Sequence, residues 1–300
     1  MNTNGPPDFG DLERHNADSL IAMALAEDFG EAGDLTALAT IPADAVGSAR
    51  FVTRSPSVVA GLPVVERLAE RLELADGWRA VVQDGDRVEP GATIARVSGP
   101  FRALLGFERT ALNFLQRLGG VATLTRRFVD AIEGKNAAIL DTRKTTPGWR
   151  HLEKYAVRCG GGQNHRMGLF DMVLIKDNHL AWLADGGDPI GRAIAGARAS
   201  APSGTAVEVE VDSLDQLDRA LECAPDIILI DNLGPLELAE AVRRRDARAP
   251  GVLLEASGGI TLETVRGYAL AGVDRISVGA LTHSATAPDI GLDFDPHDDP

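Results

Sequence analysis

Six short apolar runs in the second half of the chain set the strongest limit on its fold. They are AAIL (137–140), MVLI (172–175), VEVEV (207–211), DIILI (226–230), VLLEA (252–256) and DRISV (274–278). Each has strand length, and most are separated by helix-like segments, which predicts βα units on a parallel sheet. Each run also ends in polar or small residues: Asp141 to Lys144, Lys176 to Asn178, Asp212, Asp231, Ser257 to Gly259, and Gly279. Functional groups at the carboxyl ends of successive parallel strands fit a barrel with its site on that face. Six runs fall short of eight, so the expectation is an open, incomplete TIM-like α/β barrel. A doubly wound open sheet is the alternative, and its ligand would also lie beyond the strand ends.

The first half reads as a mixed α/β domain. Residues 1–10 are rich in Gly and Pro and are expected to form a mobile tail. Asp18 is a candidate cap for a helix through about Glu27. ARFVTR (49–54) and SVVAG (57–61) read as strands, and residues 63–74 as an amphipathic helix. Short strands alternate with Gly and Pro turns over 81–99. A helical pair follows, 102–119 and 122–133, broken at Gly119 and Gly120.

Charge is uneven. The chain carries −14, yet residues 141–179 hold seven Lys or Arg against four acids, with three histidines. Only four lysines occur in the chain, and three of them (Lys144, Lys154, Lys176) fall in this window. Because Lys is a compact point charge and Arg a planar fork, such placement points to a site for Lys144 and Lys176 and to an exposed helix face for Lys154. A cationic patch inside an acidic protein fits a small, multiply anionic ligand and argues against nucleic acid. No apolar run approaches the 18 or more residues of a membrane span, and the N-terminus lacks the basic and apolar regions of a secretory signal. Cys159 and Cys223 form neither a disulfide framework nor a metal spacing, so a cytoplasmic protein with reduced thiols is expected.

Glu208 and Glu210 share one face of VEVEV, because strand side chains alternate. Acids in a valine strand need solvent, a cation or a partner. Glu210, nearer the carboxyl end, and Asp231, after IILI, could hold ribose hydroxyls or Mg²⁺. The turns at Ser257–Gly259 and Ser277–Gly279 could turn backbone N–H groups toward a phosphate, with a helix entered at about Thr261 after the first. Three glycines at 160–162 precede Gln163, Asn164, His165 and Arg166, and allow close approach of backbone to ligand with His165 and Arg166 aimed inward. Neither a GxxxxGK[ST] loop nor a GxGxxG after the first strand is present, nor HxxxH, HExxH or GxSxG. An NTPase, a dinucleotide fold and a zinc site are therefore not indicated.

Taken in order, ERTALNFLQRLGGVAT, DTRKTTPG, EKYAV, GGGQNHRMGLFDMVLIKDNH, VEVEVDSLDQL, ILIDN and EASGGI resemble the quinolinate phosphoribosyltransferases, along nearly the whole chain. Phe29 and Trp149, where leucine is usual, and Ser57, where glycine is common, depart from the pattern without touching the charged set. The resemblance implies reaction of quinolinate with phosphoribosyl pyrophosphate (PRPP), giving nicotinate mononucleotide, pyrophosphate and CO₂ in NAD biosynthesis, with Mg²⁺. It implies an N-terminal α/β sandwich-like domain over 11–118, joined by 284–300, and the incomplete barrel over 119–283. Arg109, Arg143, His165, Arg166 and Lys176 would surround quinolinate, with Arg109 supplied by the neighbour in a homodimer; assembly beyond the dimer stays open. Thr142, Lys144, Ser257, Gly258, Gly259, Ser277 and Gly279 would face PRPP. Lys144, Glu210 and Asp231 would be catalytic, the two acids meeting Mg²⁺ directly or through water or ribose. The alternatives are a paralogue associated with molybdate transport, a nicotinate phosphoribosyltransferase, and a non-catalytic ligand-binding regulator on the same fold.

Overall fold

The computed structural model describes residues 6–295. In chain order the helices and strands are α1 (Asp11–Phe29), α2 (Leu35–Thr40), β1 (Val46–Thr53), β2 (Ser57–Val58), α3 (Leu62–Arg71), β3 (Arg79–Ala80), β4 (Arg87–Val88), β5 (Thr93–Pro100) and α4 (Phe101–Ala131). There follow β6 (Ala138–Leu140), α5 (Arg150–Cys159), β7 (Val173–Ile175), α6 (Asp177–Trp182), α7 (Pro189–Ser200), β8 (Val207–Val211), α8 (Leu214–Cys223) and β9 (Ile227–Asp231). The last are α9 (Pro235–Arg248), β10 (Leu253–Ser257), α10 (Val265–Leu270), β11 (Arg275–Ser277), α11 (Ala280–His283) and β12 (Ile290–Asp295). Two compact units result. Among the described residues, the first takes those up to Arg126, Thr145–Gly161, and those from Ala280; the second takes Arg127–Lys144 and Gly162–Gly279.

The first unit is built on an antiparallel sheet in the order β12-β1-β5-β3. Alternation along β1 buries Ala49, Phe51 and Thr53, the pattern of a sheet with one face in a core. Phe51 meets Phe107 of α4 edge to face at 5.9 Å. Several expectations need correction here. The first helix starts at Asp11 behind Gly10, seven residues before Asp18. Asp18 instead pairs with Arg67 of α3, Oδ2 to Nη2 at 2.6 Å. Of the mobile tail expected over 1–10, residues 1–5 lie outside the described residues, and 6–10 are not loose: Phe9 is buried edge-on against Tyr155, centroids 5.0 Å apart, and the Asp8 carbonyl accepts from Arg158.

Gly119 and Gly120 do not break a helical pair, because α4 runs through them for 31 residues. A Cβ at Gly120 would lie 2.6 Å from the Thr286 carbonyl oxygen, so this glycine allows a backbone to cross the helix closely. The division of the chain also differs from the sequence boundaries. Residues 145–161, expected within the barrel, belong to the first unit. There α5 buries Leu152, Tyr155, Ala156 and Val157, and also Lys154, which is fully buried and not on the exposed helix face expected for it; the Tyr155 hydroxyl donates to Asp84 at 2.7 Å. The acidic tail at 296–300 lies outside the described residues.

The second unit is a parallel sheet in the order β6-β11-β10-β9-β8-β7. From β7 to β11 every strand lies beside its successor, and β11 is followed in space by β6. That is progressive winding without the reversal of a doubly wound sheet, hence a six-stranded α/β barrel left open between β6 and β7. The opening has a local cause: the crossover from β6 to β7 carries α5, which is used in the first unit. Gln163 pairs with the β6 edge instead, its N–H donating to the Ile139 carbonyl at 2.8 Å. Ile228, Leu254 and Ile276 are fully buried in the central strands.

Candidate active site

The ends of β6 to β11 place the charged residues in one unit. Beyond β6, buried Asp141 accepts from Asn164 Nδ2 at 2.6 Å and from the His165 N–H at 2.9 Å. This holds the Gly-rich loop against β6 and carries Arg166 with it. Arg143 and Arg166 are both half-buried. Burial first, and then the Arg143 charge, holds the Arg166 guanidinium below its ordinary pKa. A guanidinium whose charge is disfavoured by burial and by a neighbouring guanidinium is suited to an anion. Lys144 lies exposed after Arg143, in a turn where its N–H donates to Thr142 Oγ1 at 3.1 Å.

Lys176, at the end of β7, pairs its Nζ with Glu210 Oε2 of β8 at 2.5 Å. Its backbone N–H donates to His179 Nδ1 at 2.8 Å, which fixes the start of α6. Glu210 and Asp231 both line a cleft of about 560 Å³, along with Asp177, Asp212 and Asn232. Four carboxylates around one cleft form a set of hard oxygen donors of the kind Mg²⁺ takes, while it keeps several waters.

At the β9 and β10 ends the backbones interlock. Asn232 adopts a positive φ of 60° and donates its N–H to the Ser257 carbonyl at 3.1 Å. Its side chain donates to Asp231 Oδ2 at 2.6 Å. Gly258 has φ +100°, and a Cβ there would sit 2.3 Å from Asn232 Oδ1, so only glycine fits. Gly259 is also left-handed, at φ +58°, but faces open space. The helix expected at about Thr261 begins at Val265. A turn closed by Thr264 Oγ1, which accepts the Thr261 N–H at 2.9 Å, takes up the intervening residues.

Beneath this rim lies a cluster that the sequence reading undervalued. His165 Nε2 stands 3.1 Å from Glu208 Oε2 and 3.3 Å from Glu255 Oε1. Glu255 Oε2 pairs with Arg275 Nε at 2.7 Å, and its other oxygen accepts from Ser277 Oγ. Both glutamates are fully buried. The three donor atoms lie within 4.8 Å of one another, close enough for a metal. Here, however, Arg275 supplies the countercharge, and the imidazole stands between the two acids.

Against burial, the two acids draw His165 up to about 9. Its other nitrogen, Nδ1, accepts the Arg166 N–H at 2.7 Å, which favours a ring protonated at Nε2 alone. The backbone contact decides the placement, so the imidazole proton lies between the carboxylates. Burial pushes the Glu208 carboxyl above its ordinary pKa; Glu255, although buried, is held below the usual range by His165 and Arg275. Glu208 was visible in the sequence as an acid in a valine strand. Glu255 carried the same signal in VLLEA, and Asp141 in the acid that follows AAIL.

Of the candidates named from sequence, Thr142, Arg143, Lys144, His165, Arg166, Lys176, Glu210, Asp231, Ser257, Gly258, Gly259, Ser277 and Gly279 belong to the second unit. Arg109 does not; it is exposed on α4 of the first unit. Two family models match the chain. The quinolinate phosphoribosyl transferase N-terminal domain covers residues 34–119, and the C-terminal domain covers 121–293. The nicotinate-nucleotide pyrophosphorylase [carboxylating] of Mycobacterium leprae is 48% identical over 95% of this chain and 99% of its own length. A probable enzyme of the same name from Bacillus subtilis is 42% identical over 89% of each chain. The solved nicotinate-nucleotide pyrophosphorylase of Francisella tularensis superposes with a TM-score of 0.87 at 35% identity, covering 97% of this chain and all of that one. With both domain models matched in order and near-complete coverage of these relatives, the chain belongs to the quinolinate phosphoribosyltransferase family.

Proposed function

We propose that this enzyme transfers the phosphoribosyl group of PRPP to quinolinate with loss of CO₂, giving nicotinate mononucleotide and pyrophosphate for NAD synthesis. The observation that carries the reading is the charge set at the ends of one parallel sheet: two neighbouring guanidinia, Arg143 and Arg166, and an acidic cleft at the ends of β8 and β9. Quinolinate brings two carboxylates, which bidentate arginines suit. Its arrival draws Lys176 Nζ from Glu210 and frees that carboxylate for the ribose. The ring nitrogen attacks C1 of the ribose as the bond to pyrophosphate breaks. Positive charge grows on the ribose, where Glu210 and Asp231 stabilise it, and Lys144 meets the departing phosphates. The pyridinium charge then stabilises the carbanion left at C2 as the 2-carboxylate departs as CO₂, and a proton adds at that carbon.

Glu210 and Asp231 would hold Mg²⁺, which when bound would supply charge to the pyrophosphate. Arg109 would serve the site of a second copy in a homodimer. No helix among the described residues is long and apolar enough to cross a membrane.

The test is an assay with PRPP, Mg²⁺ and carboxyl-labelled quinolinate or nicotinate. Labelled CO₂ and nicotinate mononucleotide from quinolinate alone are expected. Product from nicotinate, or binding without turnover, would defeat the reading. Mixing inactive Arg109→Ala and Lys144→Ala proteins should restore activity in mixed dimers; no recovery would remove Arg109 from the shared site.

A further inference from the structure

Glu255 touches two arms of the site at once. It lies on β10, two residues before Ser257, in a strand whose neighbouring residues Leu254 and Ala256 are fully buried. A carboxylate in such a place is costly unless it is held by partners. One oxygen accepts from Ser277 Oγ, at the head of the β11 turn, and stands 3.3 Å from His165 Nε2, in the loop that carries Arg166. The other pairs with Arg275 Nε at 2.7 Å. The Ser277 hydroxyl is therefore turned into the interior. The next N–H, of Val278, is taken by the Leu140 carbonyl at 2.9 Å.

We infer that Glu255 is a positioning residue for both substrates: it ties the β11 turn, through Ser277, to the quinolinate-facing loop, through His165. On this account the Ser277 hydroxyl serves Glu255 and not a phosphate. The inference rests on reading the β10 and β11 turns as the phosphate end of the site. Groups that must meet two reacting molecules are productive only when held within a fraction of an ångström. A buried carboxylate bonded to both sides supplies such a hold, through contacts that a purely apolar β10 would lack.

The experiment is steady-state kinetics in both substrates for Ser277→Ala, Glu255→Gln and the double variant, with calorimetry to check folding. Ser277→Ala should raise the KM for quinolinate, a substrate position 277 does not meet, roughly tenfold, on the scale of one coupled polar contact. Ser277→Thr, which keeps the hydroxyl, should bring it back. The double variant should be no worse than Glu255→Gln alone, as for two members of one linkage. A Ser277→Ala effect confined to the KM for PRPP and adding in full to Glu255→Gln would return the hydroxyl to the phosphate and overturn the proposal. No effect on either KM would overturn it as well. If Glu255→Gln fails to fold, the KM split of Ser277→Ala decides by itself. Gly259→Asp tests the underlying reading separately: an unchanged KM for PRPP in that variant would remove the phosphate turn, whatever Ser277 does.

Discussion

The two units treat buried carboxylates differently. In the first, Glu153 is fully buried and both its oxygens are met: Arg117 donates to Oε1, and the Thr146 N–H donates to Oε2 at 3.1 Å. Asp84 likewise accepts from the Gly61 and Leu62 N–H groups and the Tyr155 hydroxyl. In the second unit, Glu208 and Glu255 share one imidazole, and neither Glu208 oxygen has a well-aligned hydrogen bond. Stability alone does not favour two acids facing one ring. The first arrangement closes a fold, whereas the second keeps charge available beneath a binding surface, the kind of local conflict found where function overrides packing.

The largest effect should come from breaking a satisfied pair. Glu153→Ala leaves Arg117 without its carboxylate and should cost about 3 kcal/mol, the low end for a broken buried pair because Arg117 is partly exposed. A lowered thermal midpoint reads it out. Glu208→Gln should do the reverse, keeping the midpoint unchanged or raising it while activity falls, since it removes a carboxylate whose charge burial opposes. If both substitutions destabilise alike, the contrast between the units is wrong.

Close behind in size, Lys144→Ala should lower kcat by roughly 100-fold or more, the scale of a lost transition-state contact. The exposed position of Lys144 means the thermal midpoint should hold. An unchanged kcat would take Lys144 out of the chemistry. Smaller again is Gly259→Asp, which puts a carboxylate where a phosphate is expected. Asp tolerates the left-handed region, and no atom lies within 4 Å of the added Cβ, so folding should survive. The KM for PRPP should rise about tenfold, or ~1.4 kcal/mol, with the KM for quinolinate changed less.

The barrel and its charged rim were legible in the sequence because they repeat: a run of apolar residues, then a polar end, six times over. The order of those ends along the chain is also their order around the sheet, apart from β6. What did not repeat was missed. Gly119 and Gly120 look like helix breakers, and only the Thr286 backbone crossing α4 shows why they are small. The segment holding α5 sits between two barrel strands in sequence, and nothing local reveals that Tyr155 answers to Asp84, 71 residues earlier. Glu255 and Asp141 were passed over because a single acid at the edge of an apolar run resembles an ordinary strand end. Their meaning depends on His165, which arrives from a loop.

The smallest effect concerns a satisfied carboxylate at the edge of the first unit, Glu13 of α1. Burial opposes its charge, but the hydrogen bond and charge of Arg158, 2.8 Å away, outweigh this and hold its pKa below the ordinary 4.5. The unfolded chain therefore takes up this proton before the folded one does. The stabilisation is complete above about 4.5 and is lost as pH falls from there through the depressed folded value. Glu13→Gln should lower stability near neutral pH by less than about 1 kcal/mol, since Arg158 is partly exposed. The gap between the two proteins in thermal midpoint should then close as pH drops below that window. A gap that stays constant down to acid pH would assign the contribution to packing, with Arg158 lying over the Tyr155 ring at 5.5 Å, and not to charge.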